Sequence, residues 1–159
     1  MSIRSTAKAL IISGGKILLN KCYDDHNGAY YSLPGGGQQQ YETLHEAVIR
    51  ECLEETGYAV KPLALVCVCE EICLDAELRK KYPDYAHKLY HIFTCELTDD
   101  KPEKPTEKDD MQIGIEWIDI KSLTEITILP KLLGKQVTDV LNSAAPFFLG
   151  SERIDFNHG

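Results

Sequence analysis

The chain has 159 residues, 43% of them apolar and 26% charged, which is enough for one domain with a sizeable core and too few for two comfortable ones. Its formal net charge of −8 and pI near 5.1 exclude a broad basic surface, and with it nucleic acid as a general partner. We predict a single domain over residues 1–159, in which the structure of residues 145–159 is left open.

No apolar run approaches the ~20 residues of a membrane span, and the apolar stretch near the N-terminus is too short for a signal peptide. We therefore expect a cytoplasmic protein with no membrane partner. The six cysteines include no CxxC pair, so we expect reduced, mostly buried thiols. Cys67 and Cys69 alternate on a predicted strand, which is typical of small core residues.

Strand patterns dominate the first forty residues. Three strands are predicted: residues 7–13, 16–22 and 30–34. The first two are separated by Gly14 and Gly15, which predicts a hairpin. A helix is predicted to begin at Thr43, whose hydroxyl stands three residues before Glu46 as in a capping box, and to end at Gly57.

The remaining elements alternate strands with short helices. Strands are predicted over residues 58–72, 87–97 and 114–120, and helices within 73–86, 122–126 and 131–144. The proline-rich, charged residues 98–110 are predicted to form an exposed loop. Hairpins combined with helices favour an α/β fold with a mixed β-sheet over an all-parallel wound sheet.

Three carboxylates crowd the last turn of the predicted helix over residues 43–56. Anions at a helix C-terminus are disfavoured by a few tenths to ~1 kcal/mol each, and their spacing adds repulsion. At ~100° per residue these carboxylates continue the apolar stripe rather than oppose it; they are Glu51, Glu54 and Glu55. Partly desolvated carboxylates either take up protons or bind a hard cation, so the pattern favours an Mg²⁺ or Mn²⁺ site over an ordinary solvated face.

A glycine triplet precedes this helix. Gly35, Gly36 and Gly37 are expected to leave backbone groups uncovered and to allow positive φ close to a ligand, and a carbonyl there could complete a metal shell. Arg50 is adjacent to Glu51 and four residues before Glu54. We expect it to form a helix salt bridge and to hold a glutamate in position.

These residues resemble the signature of a known family. Gly36, five residues, Glu42, seven residues and then RECLEETGY over 50–58 match the Nudix box, G-x5-E-x7-R-E-U-x-E-E-x-G-U, where U is a bulky apolar residue. Cys52 and Tyr58 occupy U positions. Many relatives have glutamate at the place of Gln39 and glycine at that of Tyr41, so the loop is expected to be shaped differently here.

The resemblance to the Nudix hydrolase family implies an α/β/α sandwich and hydrolysis of a nucleoside diphosphate linked to another moiety, X, with Mg²⁺ or Mn²⁺. It assigns metal binding to Glu51, Glu54, Glu55 and the Gly35 carbonyl. Arg50 would orient the glutamates, Glu42 would support the loop, and Gly36 and Gly37 would contact substrate. Glu51 and Glu54 are the nominated catalytic carboxylates, with Glu51 the base. Proteins of this size in the family are often dimers, which leaves a homodimer open.

Substrate identity and residues outside the box stay open. A likeness of LPGGG…ETL and QIGIEW to ADP-ribose-hydrolysing relatives favours ADP-ribose or another sugar nucleotide over nucleoside triphosphates and dinucleoside polyphosphates. A non-catalytic nucleotide-sensing or protein-interaction domain and a plain divalent-ion-binding protein are the alternatives. Further acids, aromatic residues and basic residues are candidates without an assigned role: Glu70, Glu71, Glu96, Asp109, Asp110, Glu116; Tyr30, Tyr31, Tyr85, Tyr90, Phe93; His87, Lys88, His91.

Overall fold

The structure, a computed structural model, describes residues 2–155. Its strands are β1 (Arg4–Ser13), β2 (Lys16–Asp24), β3 (Gly28–Ser32), β4 (Gly35–Gly37), β5 (Val60–Cys73), β6 (His87–Leu97), β7 (Gln112–Asp119), β8 (Ile128–Leu129) and β9 (Phe147–Ile154). Its α-helices are α1 (Leu44–Thr56), α2 (Ala76–Lys81) and α3 (Lys131–Asn142), and 3₁₀ turns cover Pro83–Tyr85 and Ile120–Glu125. None of the helices in this part of the chain is long and apolar enough to cross a bilayer.

The strands form a mixed sheet in the order β8-β3-β2-β1-β6-β5-β9, with β4 added beside β1 and β7 beside β2. The β1/β6, β5/β9 and β3/β8 pairs are parallel and the others are antiparallel. The predicted hairpin is confirmed, because Gly14 and Gly15 join β1 to β2 with φ of 56° and 75°. Only the last two residues of β1 pair with β2, while its earlier residues pair with β6 and β4.

Helices cover both faces of this sheet. One buried cluster joins the α1 residues Ala47, Val48 and Cys52 to alternate residues of β1. The other cluster packs Leu133 and Val137 of α3 against the opposite face of the sheet, including Leu10 of β1. The predicted α/β fold with a mixed sheet between helices is therefore confirmed. All six cysteines are free and buried, as predicted.

Helix α1 is delimited by its own sequence. The Thr43 hydroxyl accepts a hydrogen bond from the Glu46 backbone N–H, and the Glu46 carboxylate accepts one from the Thr43 N–H, which completes the predicted capping box. At the other end Gly57 adopts φ 75°, and its N–H donates to the Leu53 carbonyl. Both ends of the helix lie where the residue pattern places them.

One segment differs from the expectation, and the tail that the sequence left open contains a strand. The glycine triplet forms the short strand β4 rather than an open loop, with Gly35, Gly36 and Gly37 paired to β1. In the tail, β9 pairs in parallel with β5, while residues 156–159 lie outside the described range. The predicted loop over 98–110 contains no helix or strand, yet it is anchored, because the N–H groups of Thr106 and Glu107 donate to the Glu54 carbonyl at the end of α1.

Replacing Gly57 by Ala should destabilise the fold. The left-handed conformation costs an L-residue roughly 1–2 kcal/mol, and an added Cβ would meet the backbone carbonyl of Glu103 in the anchored loop. We expect a loss of about 2 kcal/mol or more of unfolding free energy in urea titrations. Gly14→Ala is the matched control, since Gly14 is also left-handed but an added Cβ there meets nothing within 4 Å. Equal losses in both variants would contradict a role for the loop contact.

Candidate active site

A cleft of about 310 Å³ opens between the C-terminal half of α1, strand β4, one face of β1 and β6, and the loop that follows β6. The predicted site residues all line it: Gly35, Gly36, Gly37, Arg50, Glu51, Glu54 and Glu55. The fold thus brings together the glycine triplet and the acidic helix end. The roles assigned to these residues remain predictions.

Arg50 is the organising side chain of the acidic end. Its Nε and Nη2 donate to the two carboxylate oxygens of Glu42 at 2.7 and 3.0 Å, a bidentate pair. Its Nη1 donates to Glu51 at 2.8 Å and to Glu54 at 3.0 Å, and Nη2 also donates to the Gly37 carbonyl at 3.0 Å. The expected salt bridges of Arg50 are therefore present, and Glu42 fixes the guanidinium while itself accepting the Gln39 N–H.

Glu55 is the buried member of the acidic set, with 3% of its surface exposed. Its Oε2 accepts hydrogen bonds from Asn20 Nδ2 at 2.8 Å and from the Gly35 N–H at 2.9 Å. Gln112 donates to the Glu55 backbone carbonyl. Burial raises the pKa of Glu55 to about 7, against the lowering effects of Lys8 and of these hydrogen bonds. A carboxyl group in this position changes charge near neutral pH.

Glu51 and Glu54 are less enclosed, with 17% and 26% of their side chains exposed. Burial raises the pKa of Glu51, and the hydrogen bond from Arg50 opposes that shift. Lys8 Nζ donates to the Gly35 carbonyl, the backbone group predicted to ligate metal. The Lys8 ammonium and the Arg50 guanidinium therefore lie beside the groups that are predicted to bind a metal ion.

The donor set fits a hard divalent cation by its chemistry, since it offers three carboxylates and one carbonyl oxygen to one cleft. Within residues 2–155, no three acidic, cysteine or histidine side chains converge into a ready-made ligand cluster. Arg50 Nη1 donates to both Glu51 and Glu54, and Lys8 donates to the Gly35 carbonyl, so cationic groups contact most of this donor set. Binding of an ion would require these cations to yield some of their contacts.

Two of the three glycines lie in direct contact with charged side chains of the cleft. An added Cβ at Gly36 would collide with the Glu51 carboxylate, and one at Gly37 with the Arg4 guanidinium. The expectation of positive φ holds only for Gly35, at 122°. At the other two positions an added Cβ would meet the ends of the Glu51 and Arg4 side chains, so the placement of these side chains, and not the backbone conformation, favours glycine.

Tyr41 lies where the family resemblance implies a glycine, and its backbone conformation is one that favours glycine. It has φ of 69°, the only positive φ of a non-glycine residue in the described part of the chain. Its side chain is 98% exposed and so gains nothing from packing. An L-residue is disfavoured in this left-handed conformation, and Arg50 still forms its bidentate pair with Glu42 next to it.

Among the candidates outside the box, the structure brings Tyr85, Lys88, Tyr90 and Asp109 to the cleft. Of the remaining candidates, none lines it among the described residues. The sequence interpretation missed further lining residues: Arg4, Thr6, Lys8, Gln38, Glu107 and Lys108. One signal was available, because Arg4, Thr6 and Lys8 stand at every second position and so share one face of a strand.

The pKa of Glu55 predicts a pH-dependent effect on stability. A carboxyl whose pKa is raised by folding stabilises the fold below its unfolded pKa near 4.5, and that contribution is lost as pH rises through about 7. Without metal, the unfolding free energy of Glu55→Gln relative to wild type should therefore increase between pH 5 and pH 8, by on the order of 3 kcal/mol. Exposed Glu125→Gln should show no such trend. A pH-independent difference for Glu55→Gln would contradict the raised pKa.

The fold and the cleft define a class of protein. It is a domain with a mixed β-sheet, in which a short strand of glycines (β4) lies next to the acidic C-terminal end of a helix (α1). The family model of the NUDIX domain matches residues 3–138, and the chain belongs to this family. An RNA pyrophosphohydrolase of Novosphingobium aromaticivorans is 34% identical over 62 residues, which are 39% of this chain and 38% of that protein. A putative nudix hydrolase 1 of Caenorhabditis elegans is 29% identical over 107 residues, which are 67% of this chain and 25% of that protein.

Solved structures agree on the fold. A NUDIX hydrolase from Nitrosomonas europaea superposes with a TM-score of 0.67 at 20% identity, covering 88% of both chains. An ADP-ribose pyrophosphatase from Streptococcus suis superposes with a TM-score of 0.62 at 19% identity, covering 92% of this chain and 99% of the other. At these identities the likeness establishes the fold alone.

Proposed function

We propose that this protein hydrolyses the pyrophosphate bond of a nucleoside diphosphate linked to a moiety X, with Mg²⁺ or Mn²⁺ as cofactor. The observation that supports it is that Glu51, Glu54 and the buried Glu55 line one cleft together with Gly35. Hydrolase and pyrophosphatase names among the relatives and the structural neighbours agree with this activity. The chain matches well under two thirds of the curated relatives' own length.

In this proposal the metal would be held by Glu51, Glu54, Glu55 and the Gly35 carbonyl. When bound, divalent ions neutralise the charge on the phosphoryl oxygens and activate water for in-line attack. Arg50, fixed by Glu42, positions Glu51 and Glu54. Glu51 is the proposed base, because it lines the cleft beside Glu54 and is held there by Arg50.

Two classes of X remain in the proposal. The likeness of LPGGG…ETL and QIGIEW to ADP-ribose-hydrolysing relatives supports ADP-ribose or another sugar nucleotide. The alternatives are nucleoside triphosphates and dinucleoside polyphosphates. The names of similar proteins include both an ADP-ribose pyrophosphatase and an RNA pyrophosphohydrolase, so they favour neither class.

The decisive experiment is a substrate panel. The pure protein is incubated with ADP-ribose, ADP-glucose, ATP and diadenosine tetraphosphate in Mg²⁺ or Mn²⁺, and phosphate release is followed after phosphatase coupling. We expect turnover of at least one compound, abolished by a chelator. Calorimetric binding of nucleotides without any turnover would instead favour a non-catalytic nucleotide-sensing domain.

Further proposals concern the chain as a whole. A single domain over residues 1–159 is supported by the pairing of β9 with β5. A cytoplasmic location is supported by six free, buried thiols. A homodimer is proposed as one assembly to test by sedimentation. Nucleotide-type small molecules are the expected partners, without nucleic acid or membrane.

A further inference from the structure

The cleft has a cationic end that the acidic helix does not explain. Arg4 and Lys8 lie four residues apart on one face of β1, and β6 places Lys88 directly beside Arg4 in the parallel pairing. All three side chains line the cleft. Together with Arg50 and Lys108 they make five cationic side chains lining one cleft of a protein whose net charge is −8.

Arg4 is held in a defined position at this end. Its guanidinium lies 4.6 Å from the centroid of the Tyr85 ring, and the missing side chain at Gly37 leaves the room that the guanidinium occupies. Within residues 2–155, Arg4 forms no ion pair with a carboxylate. Stacking orients a guanidinium while leaving its N–H groups at the edge available to an anion.

Lys88 reinforces the positive charge from the neighbouring strand. It is 2% exposed, and its ammonium lies 5.9 Å from the centroid of the same Tyr85 ring. Glu71 forms an ion pair with it at 3.8 Å. Burial lowers the pKa of Lys88, Glu71 opposes this shift, and Lys8 and Arg4 add to the lowering. An anion between these cations would relieve their mutual repulsion.

The cationic end is separated from the carboxylates along β1. Lys8 lies at the Gly35 carbonyl beside the glutamates, whereas the backbone of Arg4 lies four residues along β1, roughly 13 Å of extended strand, and its guanidinium packs over Gly37. A diphosphate bound at the carboxylates therefore leaves Arg4 to contact the group attached to it. In the proposed function that group is X.

We propose that Arg4, stacked on Tyr85 and supported by Lys88, is a specificity-determining residue that binds an anionic group on X. This inference depends on the proposed hydrolase function and narrows its substrate. It favours compounds whose X is a phosphate or carries one over ADP-ribose and other sugar nucleotides with a neutral X. Arg4 binds the phosphate through charge-assisted hydrogen bonds and takes no part in bond cleavage.

The kinetic test uses two substrates that share adenosine diphosphate and differ in the charge of X, namely ATP and ADP-glucose. Arg4→Gln should lower kcat/KM for ATP at least tenfold, mainly through KM, and change that for ADP-glucose by less than twofold. Arg4→Lys, which keeps the charge, should recover part of the loss. Exposed Lys121→Gln serves as the charge control and should leave both substrates unaffected. Equal losses on both substrates, or none, would overturn the proposal.

A binding test keeps the proposal separate from the hydrolase function. Inorganic triphosphate is titrated calorimetrically in the presence of a chelator, where no metal-dependent turnover occurs. We expect the wild type to bind it at least tenfold more tightly than Arg4→Gln, and Arg4→Lys to lie between them. Unchanged affinity in Arg4→Gln would refute the subsite even if the protein is an active hydrolase. A panel without turnover, together with this affinity difference, would refute the hydrolase function and retain the anion site.

Discussion

Replacing Glu54 by Gln is expected to reduce turnover by about two to three orders of magnitude, comparable to losing one electrostatic contact to the transition state. Gln preserves volume and can still accept the hydrogen bond from Arg50, but it removes a charge proposed to bind metal. The melting temperature without metal should stay unchanged or rise, because a carboxylate at a helix C-terminus is unfavourable. Coupled phosphate release and thermal unfolding measure the two effects.

The control for this variant is Glu125→Gln, which removes one exposed carboxylate on the 3₁₀ turn over Ile120–Glu125. It should leave turnover unchanged. If Glu54→Gln were as active as wild type, Glu54 would be removed from the proposed site. If its melting temperature fell by many degrees, lost activity would reflect lost structure, and the ion pair with Arg50 would be the dominant role of Glu54.

Titration with Mg²⁺ or Mn²⁺ should raise the melting temperature of the wild type at neutral pH. An ion that binds only the folded state stabilises it by RT ln(1 + [L]/Kd), about 2.7 kcal/mol at a hundredfold excess over Kd. The gain should shrink as pH falls from 8 to 6, because burial raises the pKa of Glu55 to about 7 and protons then compete with the ion.

The variants Glu51→Gln and Glu55→Gln should lose most of this metal-dependent stabilisation, while Glu125→Gln should keep it. A general ionic effect gives a different outcome. If the control lost as much as the site variants, the ions would be screening the net charge of −8 instead of occupying a site. The proposed metal site would then be wrong, although the fold would be unaffected.

Local features of the sequence were enough to place α1 and its acidic end. The Thr43 capping box and the left-handed Gly57 depend on residues within one or two turns of helix. The helical period alone put Glu55 on the apolar side, and the structure buries it. The spacing from Gly36 to Tyr58 was sufficient to indicate the family, because it is also confined to one short stretch.

Only tertiary structure decided what surrounds that stretch. The glycines became a strand because β1 offers a free edge to Gly35–Gly37, and Glu55 meets Asn20 across 35 positions of the chain. Arg4 lies beside Tyr85 and Lys88, more than 80 positions away in the sequence, because β1 and β6 pair in parallel. Periodicity in a sequence predicts which face of a helix or strand is buried. Which other elements pack against that face depends on strand order and register. The acidic half of the cleft was therefore predictable from sequence, and its cationic half was not.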